Sequence, residues 1–163
     1  MTSCLNIVGS PVASFEVLGL PSQNTFYNYH FRTKAKVTKE FRELAKSIGT
    51  DIIGWSDTPL IKRAMVLVKV HVPHEGIMDI HNVHIKPIMD GLSDAGVWAD
   101  DEWTFIPAVL YLWSGVGAEL LEAKGKKKKR RIRARRTIFE LYELGSVELN
   151  GSMQNLPKGR TRK

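Results

Sequence analysis

Acidic side chains stand at both ends of one stretch of this chain, Met78 to Trp103, which reads MDIHNVHIKPIMDGLSDAGVWADDEW. Asp79 lies at its start, and the adjacent pair Asp100 and Asp101 near its end. Grouped carboxylates are how proteins hold Mg²⁺, a hard cation that takes oxygen ligands and keeps several of its waters. A lysine beside such a group, here Lys86, can contact a phosphate or steady the oxygen that leaves it. Together these residue types suit phosphodiester hydrolysis, in which metal ions neutralise developing charge and activate a water. Asp79, Lys86 and Asp101 are the expected catalytic residues, with Asp79, Asp101 and Asp100 as metal ligands. The ordinary fate of the same residues is a helix cap, a solvated lysine and plain surface acids such as Asp90 and Asp94. His81 and His84, three apart, would allow a shared metal, but without a Cys or a third His they read more simply as structural. Asn82 is expected to fix the backbone near Asp79 by local hydrogen bonds.

For acids at 79 and 101 to meet, the chain between them must fold back. Ile85, Ile88, Met89 and Leu92 recur at offsets of three, four and seven, one face of a helix. That helix ends near Asp94, where Gly96 makes a left-handed cap easy. A helix of about ten residues is only ~15 Å long, so the return can bring both acidic ends together. Further strands are expected at Phe15 to Leu20, Ala64 to Val72, Trp103 to Trp113 and Thr137 to Leu144. Pro107 inside the third implies an edge position or a bulge. Thr33 to Ile48 reads as an amphipathic helix with Val37, Phe41, Leu44, Ala45 and Ile48 on one stripe, stopped by Gly49. The aromatics Phe26, Tyr27, Tyr29 and Phe31 before it are expected as a loop folded onto the core, or as a surface for nucleic-acid bases. The order β, α, β, α, β, β defines an α+β domain with a mixed or antiparallel sheet of about four strands flanked by two helices. Residues 1–14 are then a lead-in, 15–145 the domain and 146–163 a disordered basic tail.

At 163 residues the chain can bury one core, and 43% hydrophobic with 25% charged residues is a globular composition. The single Cys4 excludes an internal disulfide and a thiolate metal set, which fits a reducing, cytoplasmic compartment. No apolar run approaches the ~18 residues a membrane span needs, and no signal-peptide pattern is present. The formal charge of +7 is concentrated. Lys124 to Arg136 (KGKKKKRRIRARR), expected as a basic loop, holds ten of the 24 Lys and Arg. The remaining 14 basic residues face 17 acidic ones, a net of −3. A basic segment on a mildly acidic body points to a polyanion, most simply nucleic acid. The expected DNA contacts are Lys34, Lys36 and Lys39 on the first helix and, in the run, Lys126, Lys127, Lys128, Lys129, Arg130, Arg131, Arg133, Arg135 and Arg136.

The pattern Asp79, Asn82, Lys86, Asp90-Gly91-Leu92, Asp94-Ala95-Gly96 and Asp100-Asp101 resembles the RusA family of Holliday junction resolvases. Leu20-Pro21-Ser22-Gln23-Asn24 is similar to the turn after that family's first strand, and Phe139-Glu140-Leu141 to its closing strand. The resemblance implies a RusA-like fold in a small homodimeric endonuclease, bacterial or phage-encoded and acting in the host cytoplasm. It also implies Mg²⁺, for which Mn²⁺ can substitute, and branched DNA, above all the four-way junction, as substrate. Asp79 matches the first catalytic aspartate of the family, Asp101 the last, and Lys86 the lysine that assists cleavage. The chain departs from the pattern at the second aspartate, where His81 stands, and has one extra residue between Asn82 and Lys86. It looks like a variant branch, in which His81, Asp100 or Asp90 would stand in for the missing ligand. A flap or fork nuclease, or a branched-DNA-binding protein that cuts weakly or not at all, is the alternative.

Overall fold

The computed structural model describes residues 6–54, 56, 58–72, 82–116, 118–124, 129–145 and 148–150. Its centre is β3 (Ala64–Val72), a strand with the bounds the sequence predicts. Branched side chains such as Val66, Val68, Val70 and Val72 suit a pleated surface, and seven of the nine β3 residues are buried. A strand at the centre of a sheet also pairs its backbone at both edges. One partner is β6 (Lys129–Glu143), antiparallel to β3, and the other is β4 (Ala108–Val116), parallel to it. β2 (Ala13–Leu18) pairs antiparallel with β6, so the order across the mixed sheet is β2-β6-β3-β4. This is the expected α+β architecture.

A parallel pair needs a crossover, and α3 (Lys86–Asp94) supplies it between β3 and β4. Gly96 follows with φ +83°, the left-handed turn expected there. The predicted strand at Trp103 starts later, because residues 103–105 form a turn in which the Phe105 and Ile106 amides both donate to the Glu102 carbonyl. Pro107 stands just before β4, the outer strand, where its missing N–H costs no ladder bond.

The long helix α2 (Phe31–Ile53) exceeds its expected span at both ends. His30 caps the start, its Nδ1 accepting from the Arg32 amide, and Gly54 at φ +65° caps the end. Gly49 was expected to stop this helix. It lies inside it instead, buried where α2 meets α3, and a Cβ there would sit 2.6 Å from the Ala95 Cβ. Leu44, expected on the buried stripe, is exposed, while Ala45 and Gly49 are buried and Phe41 packs at the core edge. Arg42 donates twice to Asp94, at 2.6 and 2.8 Å, and ties the two helices together. A third helix, α1 (Gln23–Tyr27), stands where a turn and loop were expected.

The core fills the helix side of the sheet with Val17, Val66, Val68, Phe139 and Leu141 against Ile88, Leu92 and Trp98. Phe15 and Phe139 stack across β2 and β6 at 5.2 Å. Two expectations about the basic segments fail. Residues 129–136 of the basic run are strand rather than loop: β5 (Ala118–Lys124) pairs antiparallel with the first half of β6, from Ala118↔Arg135 to Lys124↔Lys129, while residues 125–128 lie outside the described residues. Cross-strand backbone bonds there override the weak strand propensity of Lys and Arg. The lead-in and the tail also carry a pair of short strands, β1 (Asn6–Val8) with β7 (Glu148–Asn150). The rest of the predicted tail lies outside the described residues.

Candidate active site

Lys86 opens α3, with Pro87 next in the first turn, where proline's missing N–H would be unpaired in any case. Asp90 lies four residues on, one turn along the same face. Lys86 Nζ donates to Asp90 Oδ1 at 2.7 Å and to Asp101 Oδ2 at 2.6 Å. The segment carrying Asp101 is fastened from below. Trp98 is fully buried with its Nε1 donating to Ser93 Oγ at 2.7 Å, and the Val97 amide donates to the Leu92 carbonyl at 3.0 Å. Asp100 is turned to its own backbone, Oδ1 accepting from the Asp101 amide at 2.7 Å. The structure therefore brings Lys86 and Asp101 together, as expected, and adds Asp90. Asp79 and His81 lie outside the described residues.

The electrostatics follow from that contact. Asp101, then Asp90, push the Lys86 ammonium above its ordinary pKa by accepting its hydrogen bonds. Lys86, and after it Asp90, hold the Asp101 carboxyl below its ordinary range. Asp94 is also lowered, but by Arg42, so this acid is a strut between helices and Asp90 a member of the site.

A cleft of about 430 Å³ opens beside the ion pair, walled by Gln23, Tyr27, His84, Lys86 and Asp101 over a floor of Met89, Ile106 and Val109. One wall is α1, which forms because Ser22 Oγ accepts from the Thr25 amide at 3.0 Å. Asn82 holds this helix, and the backbone near Asp79 that Asn82 is expected to brace lies outside the described residues. The Asn82 carbonyl accepts from the Gln23 amide at 3.3 Å and its Oδ1 from the Asn24 amide at 3.2 Å. His84 lies flat against Phe26, ring centroids 3.8 Å apart at 20°, and its amide donates to the Pro21 carbonyl. Burial lowers the His84 pKa, so its imidazole is neutral near pH 7 and packs as an aromatic.

Asp90 and Asp101 both reach one cationic atom, and their oxygen-only chemistry fits a hard ion such as Mg²⁺. Among the described residues no three His, Cys, Asp or Glu are grouped so as to hold a metal. Of the expected DNA contacts, Lys34 Nζ lies 5.9 Å over the Tyr27 ring, Lys36 pairs with Glu40 at 3.7 Å, and Lys39 is exposed on α2. Arg136 is committed to the body of the fold, its Nε donating to Glu16 at 2.6 Å. Arg135 is half-buried and donates to the Leu20 carbonyl at 3.4 Å. Both side chains thus tie β6 to the body of the fold, through Glu16 and through the Leu20 carbonyl. Lys126, Lys127 and Lys128 lie outside the described residues, and Lys129, Arg130, Arg131 and Arg133 are strand residues of β6. Sequence reasoning passed over Gln23 of the cleft, whereas Tyr27 stands in the expected aromatic cluster and Asp90 among the acids that could replace the missing ligand. The spacing of four between Lys86 and Asp90 is a further local signal for that pair.

No protein-family model and no curated protein matches the chain. No helix among the described residues is long and apolar enough to cross a membrane.

Proposed function

We propose that this protein is a Mg²⁺-dependent, structure-selective DNA endonuclease of the RusA kind, acting as a homodimer on Holliday junctions. The observation that carries the reading is the meeting of Lys86, Asp90 and Asp101 at the edge of an open cleft. Asp101 and Asp90, with Asp79 from the neighbouring segment, are the residues that would hold the ion. When bound, Mg²⁺ supplies charge neutralisation at the phosphate and a more acidic water. An ammonium has three donors. Two of those on Lys86 meet Asp90 and Asp101, which leaves one for a phosphate oxygen or the oxygen that departs. The two acids also keep this lysine charged to high pH, as a stabiliser of developing negative charge must be. A four-way junction is two-fold symmetric, so paired cuts call for a two-fold dimer that presents two such sites.

Synthetic four-way junction, flap and linear duplex, each incubated with the protein and Mg²⁺, test the proposal. Nicks placed symmetrically in the junction, with duplex left whole, are the expected outcome. Preferential cutting of the flap would reassign the substrate, and intact junction under both Mg²⁺ and Mn²⁺ would remove the nuclease reading. One observation favours the second reading, a branched-DNA binder that cuts weakly or not at all. Lys86 already neutralises part of the charge of Asp90 and Asp101, so the cluster is stable as an ion pair. That reading predicts junction binding indifferent to divalent ions.

A further inference from the structure

We infer that the Tyr27 ring is a stacking surface for a single unpaired DNA base beside the Lys86–Asp101 pair. The inference rests on the nuclease reading for its substrate, and on the following geometry for its site. Of the exposed large aromatics Tyr27, Phe31, Trp103 and Trp113, it is Tyr27, 66% exposed, that lines the same cleft as Lys86 and Asp101. The ring is packed rather than loose. Phe26 and Tyr27 meet in a T-shaped contact with centroids 6.3 Å apart, and Phe26 is itself stacked on His84 at 3.8 Å. His84 and α1 are tied to each other through the Pro21 carbonyl and Asn82. Tyr27 therefore presents a supported aromatic surface to a cleft whose about 430 Å³ is in the range that receives small ligands.

The surroundings specify the ligand's chemistry. Lys34 Nζ lies 5.9 Å over the Tyr27 ring, and a base stacking on that face would displace the ammonium from the ring and leave it free to meet the base's own phosphate. Aromatic ring plus neighbouring lysine is how single-stranded nucleic acid is gripped without sequence reading, because every base has a π-face. A base inside an intact duplex has both faces covered by its neighbours. Only a base unstacked at a branch point, flap or single strand can lie on Tyr27, so this surface would make the site selective for DNA structure.

An oligonucleotide carrying 2-aminopurine at one unpaired position, mixed with protein in Ca²⁺ to prevent cutting, reads the contact directly. The wild-type protein should quench the fluorescence, and Tyr27→Phe should do so equally. Tyr27→Ala, shown to be folded by its melting transition, should lose the quenching and bind roughly 5- to 100-fold more weakly. Unchanged quenching and affinity in Tyr27→Ala would overturn the inference. The nuclease reading fails separately: quenching without junction cleavage in Mg²⁺ would uphold the stacking surface alone. Cleavage without quenching would overturn the stacking surface and leave the nuclease.

Discussion

Fifteen residues separate Lys86 from Asp101, yet their charged atoms lie 2.6 Å apart because α3 and the turn behind Trp98 fold the segment back on itself. The pair is partly exposed, Lys86 at 67% and Asp101 at 32% of the side chain, so it adds at most about 1 kcal/mol to stability. Its pH dependence is nevertheless specific. The Asp101 pKa is depressed in the folded chain, so its contribution is present above an ordinary carboxylate value of about 3.9 and fades as pH falls through the lower folded value. The Lys86 pKa is raised, so its contribution is present below about 10.4 and fades as pH climbs through the folded value. Thermal melts of wild type and Lys86→Met should therefore differ by a small constant amount from about pH 5 to 9, converging at both extremes. A difference that grows on acidification would contradict the ion pair. Asp90 was recognisable beforehand from its spacing to Lys86, whereas the commitment of Asp94 to Arg42, 52 residues away, was not.

The two long helices set the position of the site, and Gly91 sets the distance between them. A Cβ at that position would lie 2.3 Å from the Arg42 carbonyl oxygen and 2.7 Å from the Ala45 Cβ. Backbone cannot yield as a flexible side chain can, so α2 and α3 would have to part. Alanine is the better helix former by about 1 kcal/mol, but overpacking at a backbone contact costs roughly 1–3 kcal/mol or more. Gly91→Ala should lower the free energy of unfolding in a urea titration, and any gain would show the helices to be less closely packed. The elements found in advance are those whose signal is local and periodic. β3 was legible from its branched residues, and α3 from its apolar offsets with Gly96 behind it. α1 was not, since it has five residues and is held by Asn82 across 58 positions of chain. The first half of β6 was read as loop because its lysines and arginines disfavour strand, and only the partner β5 reveals otherwise. Gly49 misled for a related reason: a glycine at a helix crossing has the same local appearance as one at a helix end.

Across the whole molecule, charge is divided between regions. The body of the chain is mildly acidic, while ten basic residues lie in the run from Lys124 to Arg136. β6 joins the two regions, its second half buried between β2 and β3 and its first half paired with β5. At about 3.3 Å per residue its fifteen residues extend for ~50 Å, so a basic hairpin continues from the same strand that builds the core. Under the proposed nuclease function such a layout would let binding and cutting be separated, with much of the attraction for DNA supplied by the run and the chemistry by the Lys86–Asp101 site. The most direct test is single-turnover cleavage of a four-way junction in Mg²⁺ by Asp101→Asn, alongside its affinity for the same junction in Ca²⁺. The account predicts cleavage lowered at least 100-fold with binding retained or slightly tightened by the loss of a negative charge. Cleavage at the wild-type rate by Asp101→Asn would contradict it.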